Sequence, residues 1–371
     1  MNKAVLVFSG YNQRAVIAFL RTLREKKISF GIVASSANDD VFMTDYAANV
    51  IYTRKIRKLE LPEFIVSIKQ AQEALATKNL IIAPSTEALN RFLLSNRSLI
   101  EREGVMIPLV AEDLYCQISD KYSFGKICSD FGILVPKEYN GIDEALIPFV
   151  AKPIKYIGKN GKSLNPIIIS SNIELESFRA LCDIEEYYYQ EYIEGRCFYL
   201  LYYIYKNGHV EKLSQENYVQ QPKGKSMIAA VLSDLHDMPV SKRYEELLKA
   251  KSFFGMVMVE VKEKNDVYYM IEANPRFWGP AQLFVDSGFN LFDDFLRENG
   301  LIESVKRKES IDAKYYWSGG LKESVCDDDE PTYYIKKTIF ESMKNYFVEF
   351  DLFDREDTRA IFDDKKRSPH I

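Results

Sequence analysis

Two short apolar runs, separated by a polar turn, each end on a single glutamate. The runs are Met256–Glu260 and Tyr268–Glu272, and the polar turn between them is Lys264–Asp266. Spacing of this kind is typical of a β-hairpin. If 264–266 is a three-residue turn, Glu260 and Glu272 lie diagonally across one face, and a shifted turn sets them directly opposite each other. In either register both carboxylates point to the same side of the sheet.

Two carboxylates on the same face of an apolar hairpin repel each other and lose hydration. They need a cation, and oxygen ligands suit Mg²⁺, with Mn²⁺ as the alternative. Asn274 returns to that face with a neutral oxygen, and Arg276 returns again with a guanidinium that can hold a phosphate or carboxylate. A solvated, alternating hairpin face is the simpler reading, but it does not require the Asn-Pro-Arg-Phe-Trp-Gly ending. We therefore predict a divalent cation at Glu260, Glu272 and Asn274.

The composition excludes several classes of catalyst and partner. The three histidines, His209, His236 and His370, occur in no HExxH motif, and no GxSxG motif is present, so a histidine–metal or serine-triad mechanism is not expected. The five cysteines form no CxxC pair, which favours a reduced, cytoplasmic protein. A net charge of −5 argues against a nucleic-acid partner. No apolar stretch predicts a membrane-spanning helix, so no membrane partner is expected.

Residues 1–113 alternate between apolar runs and amphipathic segments, which predicts a parallel sheet with helices on both faces. Strands are predicted at Ala4–Phe8, Phe30–Ala34 and Leu80–Ala83, and helices at Gln13–Arg24 and Ile65–Leu75. The first strand-to-helix turn has one glycine and lacks GxGxxG, so a dinucleotide-binding domain is not expected.

From residue 114 the pattern changes to short strands with few helices, which predicts an α+β arrangement with antiparallel sheets. Helices are expected at Lys121–Phe131, Ser241–Phe254, after an N-cap at Asn290, and over Tyr333–Val348. The predicted fold class is therefore α/β followed by α+β. We divide the chain into domains at 1–113 and 114–306, the latter with a small subdomain at about 140–194, and a C-terminal extension at 307–371.

A lysine- and glycine-rich segment follows the apolar strand that ends at Lys152. Gly158 and Gly161 would let backbone N–H groups approach phosphate oxygens, and Lys162 follows them. A P-loop is rejected because Tyr156 stands where its first glycine would be. The simpler reading is a solvated, lysine-rich turn. Lys121, at the start of its predicted helix, is a further phosphate candidate.

Taken in order, these segments resemble the ATP-grasp superfamily of carboxylate–amine ligases. The carbamoyl-phosphate-synthase-like and D-alanine–D-alanine-ligase-like branches are the most similar. The resemblance spans Asp120 to Gly279, and residues 1–113 resemble the domain that usually precedes an ATP-grasp fold. It rests on these motifs in this order: Asp120-Lys121, Lys152-Pro153, the glycine-rich segment, Gln190-Glu191-Tyr192-Ile193-Glu194-Gly195, Glu260, and Glu272-Ala273-Asn274-Pro275-Arg276.

The resemblance implies a role for each of these positions around ATP. Lys121 and Lys152 would contact the phosphates, and the loop 158–162 would form a mobile lid over them. Residues 190–193 would form the hinge that reads the adenine, with Ile193 packed on the base. Cys197 stands where a ribose-binding glutamate is common, so Glu191 or Glu194 would have to replace it.

The same resemblance assigns the metal and the catalytic groups. Glu260 and Glu272 would bind Mg²⁺, with Glu272 bridging two ions and Asn274 completing one coordination sphere. Arg276 would steady the γ-phosphate or an acyl phosphate, and Lys152 would assist as the second catalytic cation. The activity implied is an ATP-dependent ligase that forms an amide or peptide bond through an acyl phosphate, releasing ADP and phosphate.

Three functional readings stay open. The first is ligation of an amino acid or another small carboxylate to an amine. The second is amidation of a sugar acid or a natural-product carboxylate, and the third is an ATP-binding regulatory module without turnover. Biotin carboxylation is a weaker option, because bicarbonate-using members usually carry a further C-terminal domain. The partners expected are small molecules, and a homodimer is left open.

Substrate contacts are expected after the Leu80–Ala83 strand, because open α/β sheets bind ligands at the carboxyl ends of their strands. Ser85, Thr86 and Glu87 follow that strand. Glu87 could hold an ammonium group, although a glutamate in the first turn of a helix is also favoured by the helix dipole. Trp278 could wall the pocket or belong to the core.

Overall fold

The structure is a computed structural model, and it describes residues 3–309, 311–326 and 330–367 of the chain. Its first five strands form a parallel sheet in the order β3-β2-β1-β4-β5, as the alternation of strands and helices predicts. The strands of this sheet are β1 (Lys3–Phe8), β2 (Phe30–Ala34), β3 (Val50–Thr53), β4 (Asn79–Ile82) and β5 (Val105–Met106).

Helices cover both faces of the parallel sheet, because both faces are apolar. Val5 and Val7 of β1 pack in one core cluster, whereas Ala4 and Leu6 pack in another on the opposite face. The helices of this part are α1 (Gln13–Glu25), α2 (Leu61–Ala74), α3 (Glu87–Ser95), α4 (Arg97–Glu101), α5 (Glu112–Ser119) and α6 (Lys121–Asp130).

A small antiparallel sheet follows, in the order β6-β9-β7-β8, with one helix packed on it. Phe149, Ile169, Phe178 and Tyr189 form its separate core. Its elements are β6 (Glu138–Tyr139), β7 (Phe149–Pro153), β8 (Ile167–Ile169), α7 (Asn172–Leu181) and β9 (Tyr187–Glu191).

The largest sheet is antiparallel, with the order β14-β13-β10-β11-β12-β15 and β16 paired to β11. Its strands are β10 (Arg196–Ile204), β11 (Val210–Gln220), β12 (Met227–Ser233), β13 (Gly255–Lys264), β14 (Val267–Asn274), β15 (Lys314–Tyr316) and β16 (Thr332–Tyr333). The remaining helices are α8 (Pro239–Ala250), α9 (Gln282–Asp286), α10 (Leu291–Glu298), α11 (Ser318–Cys326), α12 (Lys337–Val348) and α13 (Arg359–Arg367). The antiparallel arrangement expected after residue 114 is therefore confirmed.

Several boundaries differ from the sequence-based expectation. The helix expected over Tyr333–Val348 begins only at Lys337, because Thr332 and Tyr333 pair with β11 as a short strand. The helix expected to end at Phe254 ends at Ala250. The N-cap at Asn290 is confirmed, since its side chain accepts a hydrogen bond from the N–H of Phe292.

The turn of the glutamate hairpin also differs from the expected one. Lys264 pairs with Val267, so the turn has two central residues, Asn265 and Asp266, both with positive φ. Such a turn is typical of tight hairpins. By itself this turn would shift the pairing by one residue and move Glu272 to the other face. A β-bulge at Ile271 adds one residue and returns Glu272 to the face of Glu260.

The part of the chain with described coordinates contains no helix that is both long and apolar enough to cross a bilayer.

A buried ion pair joins the C-terminal part of the chain to helix α1. Arg21 of α1 donates from Nε and Nη2 to the carboxylate of Asp357 at 2.9 and 2.8 Å, and Tyr46 donates to the same carboxylate at 2.8 Å. The side chains of Arg21 and Asp357 are 10% and 4% exposed. Removing one partner would leave the other charged and buried.

We expect Arg21→Met to lower the free energy of unfolding by about 3–5 kcal/mol, the usual cost of breaking a buried ion pair. Chemical denaturation of the whole chain measures it. As a control, Glu101→Gln removes the exposed partner of Arg97 and is expected to cost less than about 1 kcal/mol. Equal effects of the two substitutions would contradict a structural role for the Arg21–Asp357 pair.

Candidate active site

A cavity of about 1290 Å³ lies between the parallel sheet, the small sheet and the large sheet. The carboxyl ends of β1 and β4 open into it, as do β7 and the β13–β14 hairpin. Most of the residues predicted from the sequence to bind ligands line it: Ser85, Thr86, Glu87, Lys121, Lys152, Glu191, Tyr192, Ile193, Glu260, Glu272, Asn274, Arg276 and Trp278.

Glu260 and Glu272 face each other across neighbouring strands in this cavity. They form a directly opposed pair in the β13–β14 ladder, which is the second of the two registers considered. The bulge at Ile271 makes this possible, because without the extra residue Glu272 would point to the other side of the sheet. Glu260 is buried, at 7% exposure.

The two carboxylates have opposite pKa shifts. Burial, together with the charge of Glu272, raises the pKa of Glu260 to about 7. Burial would also raise the pKa of Glu272, but the charge and hydrogen bond of Lys121 outweigh it, and the pKa of Glu272 is lowered to about 2. Glu272 is thus held ionised, whereas the ionised form of Glu260 is disfavoured.

Two lysines reach this pair from different elements. Lys121, the first residue of α6, places Nζ 2.5 Å from Glu272 Oε2. Lys152, at the end of β7, is buried and donates from Nζ to the carbonyl oxygen of Ile271 at 3.0 Å. The bulge therefore also supplies an acceptor for Lys152. Burial and the nearby charge of Lys121 lower the pKa of Lys152 to about 8.

Asn274 and Arg276 extend the polar edge of the hairpin. Asn274 Nδ2 donates to Glu272 Oε1 at 2.7 Å, and Arg276 Nη2 donates to Asn274 Oδ1 at 3.0 Å. In this arrangement the amide nitrogen, not the oxygen, faces Glu272. The amide would have to turn over before its oxygen could bind a metal held by Glu272.

The oxygen donors fit Mg²⁺ as part of a nucleotide complex. The described residues hold no cluster of three or more His, Cys, Asp or Glu side chains suited to a metal. Mg²⁺ in proteins is often bound by one or two carboxylates together with phosphate oxygens and water. The opposed pair Glu260 and Glu272 provides the two carboxylates, and Lys121 neutralises Glu272 in the metal-free arrangement.

The predicted hinge, residues 190–193, begins within the end of β9. Tyr192 and Ile193 line the cavity, and the buried Lys262 donates from Nζ to the carbonyl oxygen of Ile193 at 3.1 Å. The same ammonium lies 4.6 Å from the centre of the Tyr192 ring. The carboxylate of Glu191 is paired with Lys264 at 3.2 Å.

Gln190 of the hinge and the following Glu194 lie outside the cavity lining. Gln190 is buried within β9 at 4% exposure, with its amide nitrogen toward the carbonyl of Pro136, and Glu194 is exposed beyond the hinge. Cys197 is also away from the lining. Its sulfur is buried against Glu260 Oε1 at 3.6 Å and accepts a hydrogen bond from Asn217 Nδ2 at 3.3 Å.

The glycine-rich loop is folded on itself rather than over the cavity. Gly158 donates its N–H to the carbonyl of Lys162 at 2.9 Å, and Gly161 donates to the carbonyl of Gly158 at 2.9 Å. Lys159 ties the loop to Asp183 at 2.8 Å. Gly158, Gly161 and Lys162 therefore do not line the cavity in this conformation, whereas Tyr156 and the stretch 163–166 do.

The residues expected to touch substrate are engaged within the protein. Ser85 Oγ donates to the carbonyl of Phe8 at 3.3 Å, and Thr86 caps α3 by accepting from the N–H of Leu89. The carboxylate of Glu87 is already paired with Arg91 at 2.6 Å. It also accepts from Tyr115 at 2.8 Å and from Ser119 at 2.9 Å. Glu87 is therefore not available to an ammonium group in this arrangement. Trp278 lines the cavity, but its side chain is almost fully buried, at 1% exposure.

Sequence reasoning missed part of the lining. The segment Arg54–Leu59, after β3, reaches the cavity through Arg54, Arg57, Lys58 and Leu59, and Lys262 reaches it from β13. Open α/β sheets bind ligands at the carboxyl ends of their strands, and this also holds for β3. The basic residues that follow β3 could therefore have been predicted to line the cavity. Lys262 is two residues beyond Glu260 and therefore shares its face.

Comparison with known proteins gives structural but not sequence similarity. No family model matches the sequence, and neither does any curated protein. Biotin carboxylase from Campylobacter jejuni, solved as a complex with β-γ-ATP, aligns with a TM-score of 0.62 and 16% identity. The alignment covers 83% of this chain and 73% of that one.

Two further structures are similar to the same extent. The biotin carboxylase domain dimer of 2-oxoglutarate carboxylase from Hydrogenobacter thermophilus, with MgADP, ADP and bicarbonate, has a TM-score of 0.60 and 15% identity, covering 84% of this chain and 72% of that chain. L-amino acid ligase from Bacillus licheniformis has a TM-score of 0.56 and 15% identity, covering 83% and 75%. These neighbours are ATP-grasp enzymes. The chain therefore has the ATP-grasp fold, and the expected fold is confirmed.

The raised pKa of Glu260 predicts a pH-dependent stability. A carboxyl group with a higher pKa in the folded than in the unfolded protein begins to destabilise the fold when the pH exceeds its unfolded pKa. The free energy of unfolding stops decreasing once the pH exceeds the folded pKa. The free energy of unfolding of Glu260→Gln, relative to wild type, should therefore rise between about pH 5 and pH 8, by on the order of 2 kcal/mol.

Denaturation of the metal-free protein at several pH values measures this rise. The matched variant Glu246→Gln changes an exposed glutamate and should show a difference that does not vary with pH. A pH-independent difference for Glu260→Gln would mean that the opposed carboxylates do not raise the pKa of Glu260.

Proposed function

We propose that this chain is an ATP-dependent ligase that joins a small carboxylate to an amine through an acyl phosphate. The observation that carries the proposal is the pair of opposed carboxylates, Glu260 and Glu272, in a cavity that also contains Lys121, Lys152 and Arg276. Two anionic ligands for Mg²⁺ beside three cations form a site for a triphosphate and for the negative charge that moves during phosphoryl transfer.

The hinge would bind the base of the nucleotide. Tyr192 and Ile193 offer apolar surface and backbone groups at the end of the cavity, and Lys262 fixes the carbonyl of Ile193. The triphosphate would extend from there toward the ends of β7 and β14. Lys152 is the cation on one side and Lys121 the cation on the other, so both can neutralise phosphate oxygens.

The proposed chemistry needs no side-chain nucleophile. An oxygen of the substrate carboxylate attacks the γ-phosphorus of ATP, and the bond to the bridging oxygen breaks to release ADP. The nitrogen of the amine then attacks the acyl carbon, phosphate leaves, and the amine gives up a proton as the amide forms. Arg276 would hold the acyl phosphate, because its guanidinium has no carboxylate partner within 4.0 Å among the described residues.

Mg²⁺ would supply charge neutralisation and orientation of the phosphates. Glu260, Glu272 and, after its amide turns, Asn274 are the residues that would hold it. In the absence of metal, Lys121 stabilises the charge of Glu272. On metal binding that lysine would be released to the phosphates, so one residue serves the site in both conditions.

The loop 158–162 would act as the lid. Its present hydrogen bonds are internal or to Asp183 and Glu186. The ring of Tyr156, which precedes the loop, lies 4.9 Å from the guanidinium of Arg91. Closure over a bound triphosphate would bring Gly158, Gly161 and Lys162 to the phosphates and keep water from the acyl phosphate.

The solved neighbours support the nucleotide part of this proposal. The Campylobacter jejuni enzyme was solved with an ATP analogue and the Hydrogenobacter thermophilus domain with MgADP. The Bacillus licheniformis protein is an L-amino acid ligase, which favours amino acids as the first substrates to test. We assign the protein to the cytoplasm, which supplies ATP and keeps thiols reduced, consistent with four described cysteines that form no disulfide.

We expect Mg²⁺-dependent release of ADP from ATP when a substrate carboxylate and an amine are both present. Pools of amino acids and of sugar acids, assayed with a coupled ADP reaction, identify the substrate class. Glu272→Gln should lower kcat by about 10²-fold or more, the usual effect of removing a group that stabilises charge during the reaction. Glu246→Gln, on the exposed face of α8, should leave the rate unchanged.

Other results of this assay have definite meanings. ADP release only with sugar acids would favour amidation of such an acid. Tight Mg·ATP binding without turnover in any pool would favour an ATP-binding regulatory module. Unchanged turnover in Glu272→Gln would contradict the proposed site.

A further inference from the structure

The cavity has far more positive than negative charge. Among the described residues that line it, eleven are basic and four are acidic, although the chain as a whole has a net charge of −5. The acidic residues are Glu87, Glu191, Glu260 and Glu272. The first two are paired with Arg91 and Lys264, and the last two form the proposed metal site. No lining carboxylate is therefore left to balance the remaining cations.

Part of this excess comes from residues of the cavity lining that lie outside the hairpin, α6 and β7. We call it the basic wall and define it by Arg14, Arg57, Lys58 and Lys225. These residues come from α1, from the segment after β3, and from the loop between β11 and β12, so three separate elements bring cations to the same cavity. None of the four has a carboxylate within 4.0 Å among the residues with described positions.

The segment after β3 is held in a shape that presents two of these cations. Arg54, which is buried at 9% exposure, donates from Nη2 to the carbonyls of Ile56 and Arg57 and so fixes the loop from within. Arg57 is exposed and donates from Nε to the hydroxyl of Tyr11 at 3.0 Å. Lys58 is exposed and has no side-chain partner within the described part of the chain. Both side chains keep donors for a ligand.

Arg14 has only neutral partners. Its guanidinium donates to the carbonyl of Met227 at 3.0 Å and to Ser226 Oγ at 2.7 Å, and it lies 4.4 Å from the centre of the Trp317 ring. These bonds fasten the β11–β12 loop next to Lys225, whose side chain is exposed. Arg14 therefore positions Lys225 and adds a positive charge that no acidic side chain compensates.

We infer that the substrate of this chain carries a second, non-reacting acidic group, a carboxylate or a phosphate, and that the basic wall binds it. The inference rests on the proposed ligase function and names its substrate class. The acid binds with one end at the wall and its reacting carboxylate toward Arg276. Several cations around one anion provide charge-assisted hydrogen bonds, which are the strong ones in proteins.

The nucleotide does not account for the basic wall. Lys121, Lys152 and Arg276 already surround the proposed phosphate site from α6, β7 and the end of β14. The wall residues belong to other elements, and two of them follow a strand of the parallel sheet, where open α/β sheets bind ligands. The competing explanation is a set of solvated surface cations, which would show no preference among acids.

The test compares matched pairs of probes that differ only in the second acidic group. L-glutamate is paired with L-glutamine, and O-phospho-L-serine with L-serine. Calorimetric titration of the full chain, with Mg·ADP present, measures the affinity for each probe. We expect the acidic member of at least one pair to bind about tenfold or more tightly, and the pair that shows it distinguishes a carboxylate from a phosphate.

Substitutions then locate the preference. Arg57→Gln, Lys58→Gln and Lys225→Gln should each weaken binding of the preferred acid about tenfold and leave the neutral member unaffected. Lys55→Gln is the control, because Lys55 is exposed on the same segment but does not line the cavity. An equal loss in Lys55→Gln would indicate a general effect of net charge and overturn the inference.

The same titrations separate this inference from the proposed function. Absence of Mg·ADP binding in wild type would contradict the ligase proposal and the inference that rests on it. Intact Mg·ADP binding with no acidic preference in either pair, or with no binding of any probe, would overturn only the inference of a second acidic group.

Discussion

The site depends on one electrostatic constraint, which is that two carboxylates are forced to face each other inside an apolar hairpin. Glu260 and Glu272 repel each other and have lost most of their hydration, so the surrounding structure has to supply positive charge. Lys121 supplies this positive charge for Glu272. The pKa of Glu260 is raised because the negative charge of Glu260 is not fully compensated. A bound divalent cation would complete the compensation, which gives the proposed metal site a physical cause.

A single irregularity of the backbone sets this geometry. The bulge at Ile271 offsets the two-residue turn at Asn265-Asp266 and returns Glu272 to the face of Glu260. It also leaves the carbonyl of Ile271 outside the ladder, where Lys152 donates to it. The bulge thus links the large sheet to the small sheet through a buried lysine, and the cavity lies at that junction.

The sequence was enough to predict the architecture and the centre of the site. Alternating patterns predicted the parallel sheet, and period-two spacing put Glu260 and Glu272 on one face. The sequence could not predict the turn and the bulge. A turn shorter by one residue and one extra residue in β14 cancel each other, so Glu260 and Glu272 stay on the same face with or without both changes. The sequence also could not show that Lys159 ties its loop to Asp183, or that Tyr115 and Ser119 engage Glu87. Those contacts depend on which groups meet in three dimensions.

The most direct test of the account is the binding of Mn²⁺ in the presence of ADP, followed by electron paramagnetic resonance. Wild type should bind Mn²⁺ tightly only with ADP. Glu260→Gln and Glu272→Gln should each lose this binding, while Glu246→Gln should retain it. Mn²⁺ binding that is unaffected by both substitutions, or that is absent in wild type with ADP bound, would contradict the claim that the opposed carboxylates form the metal site.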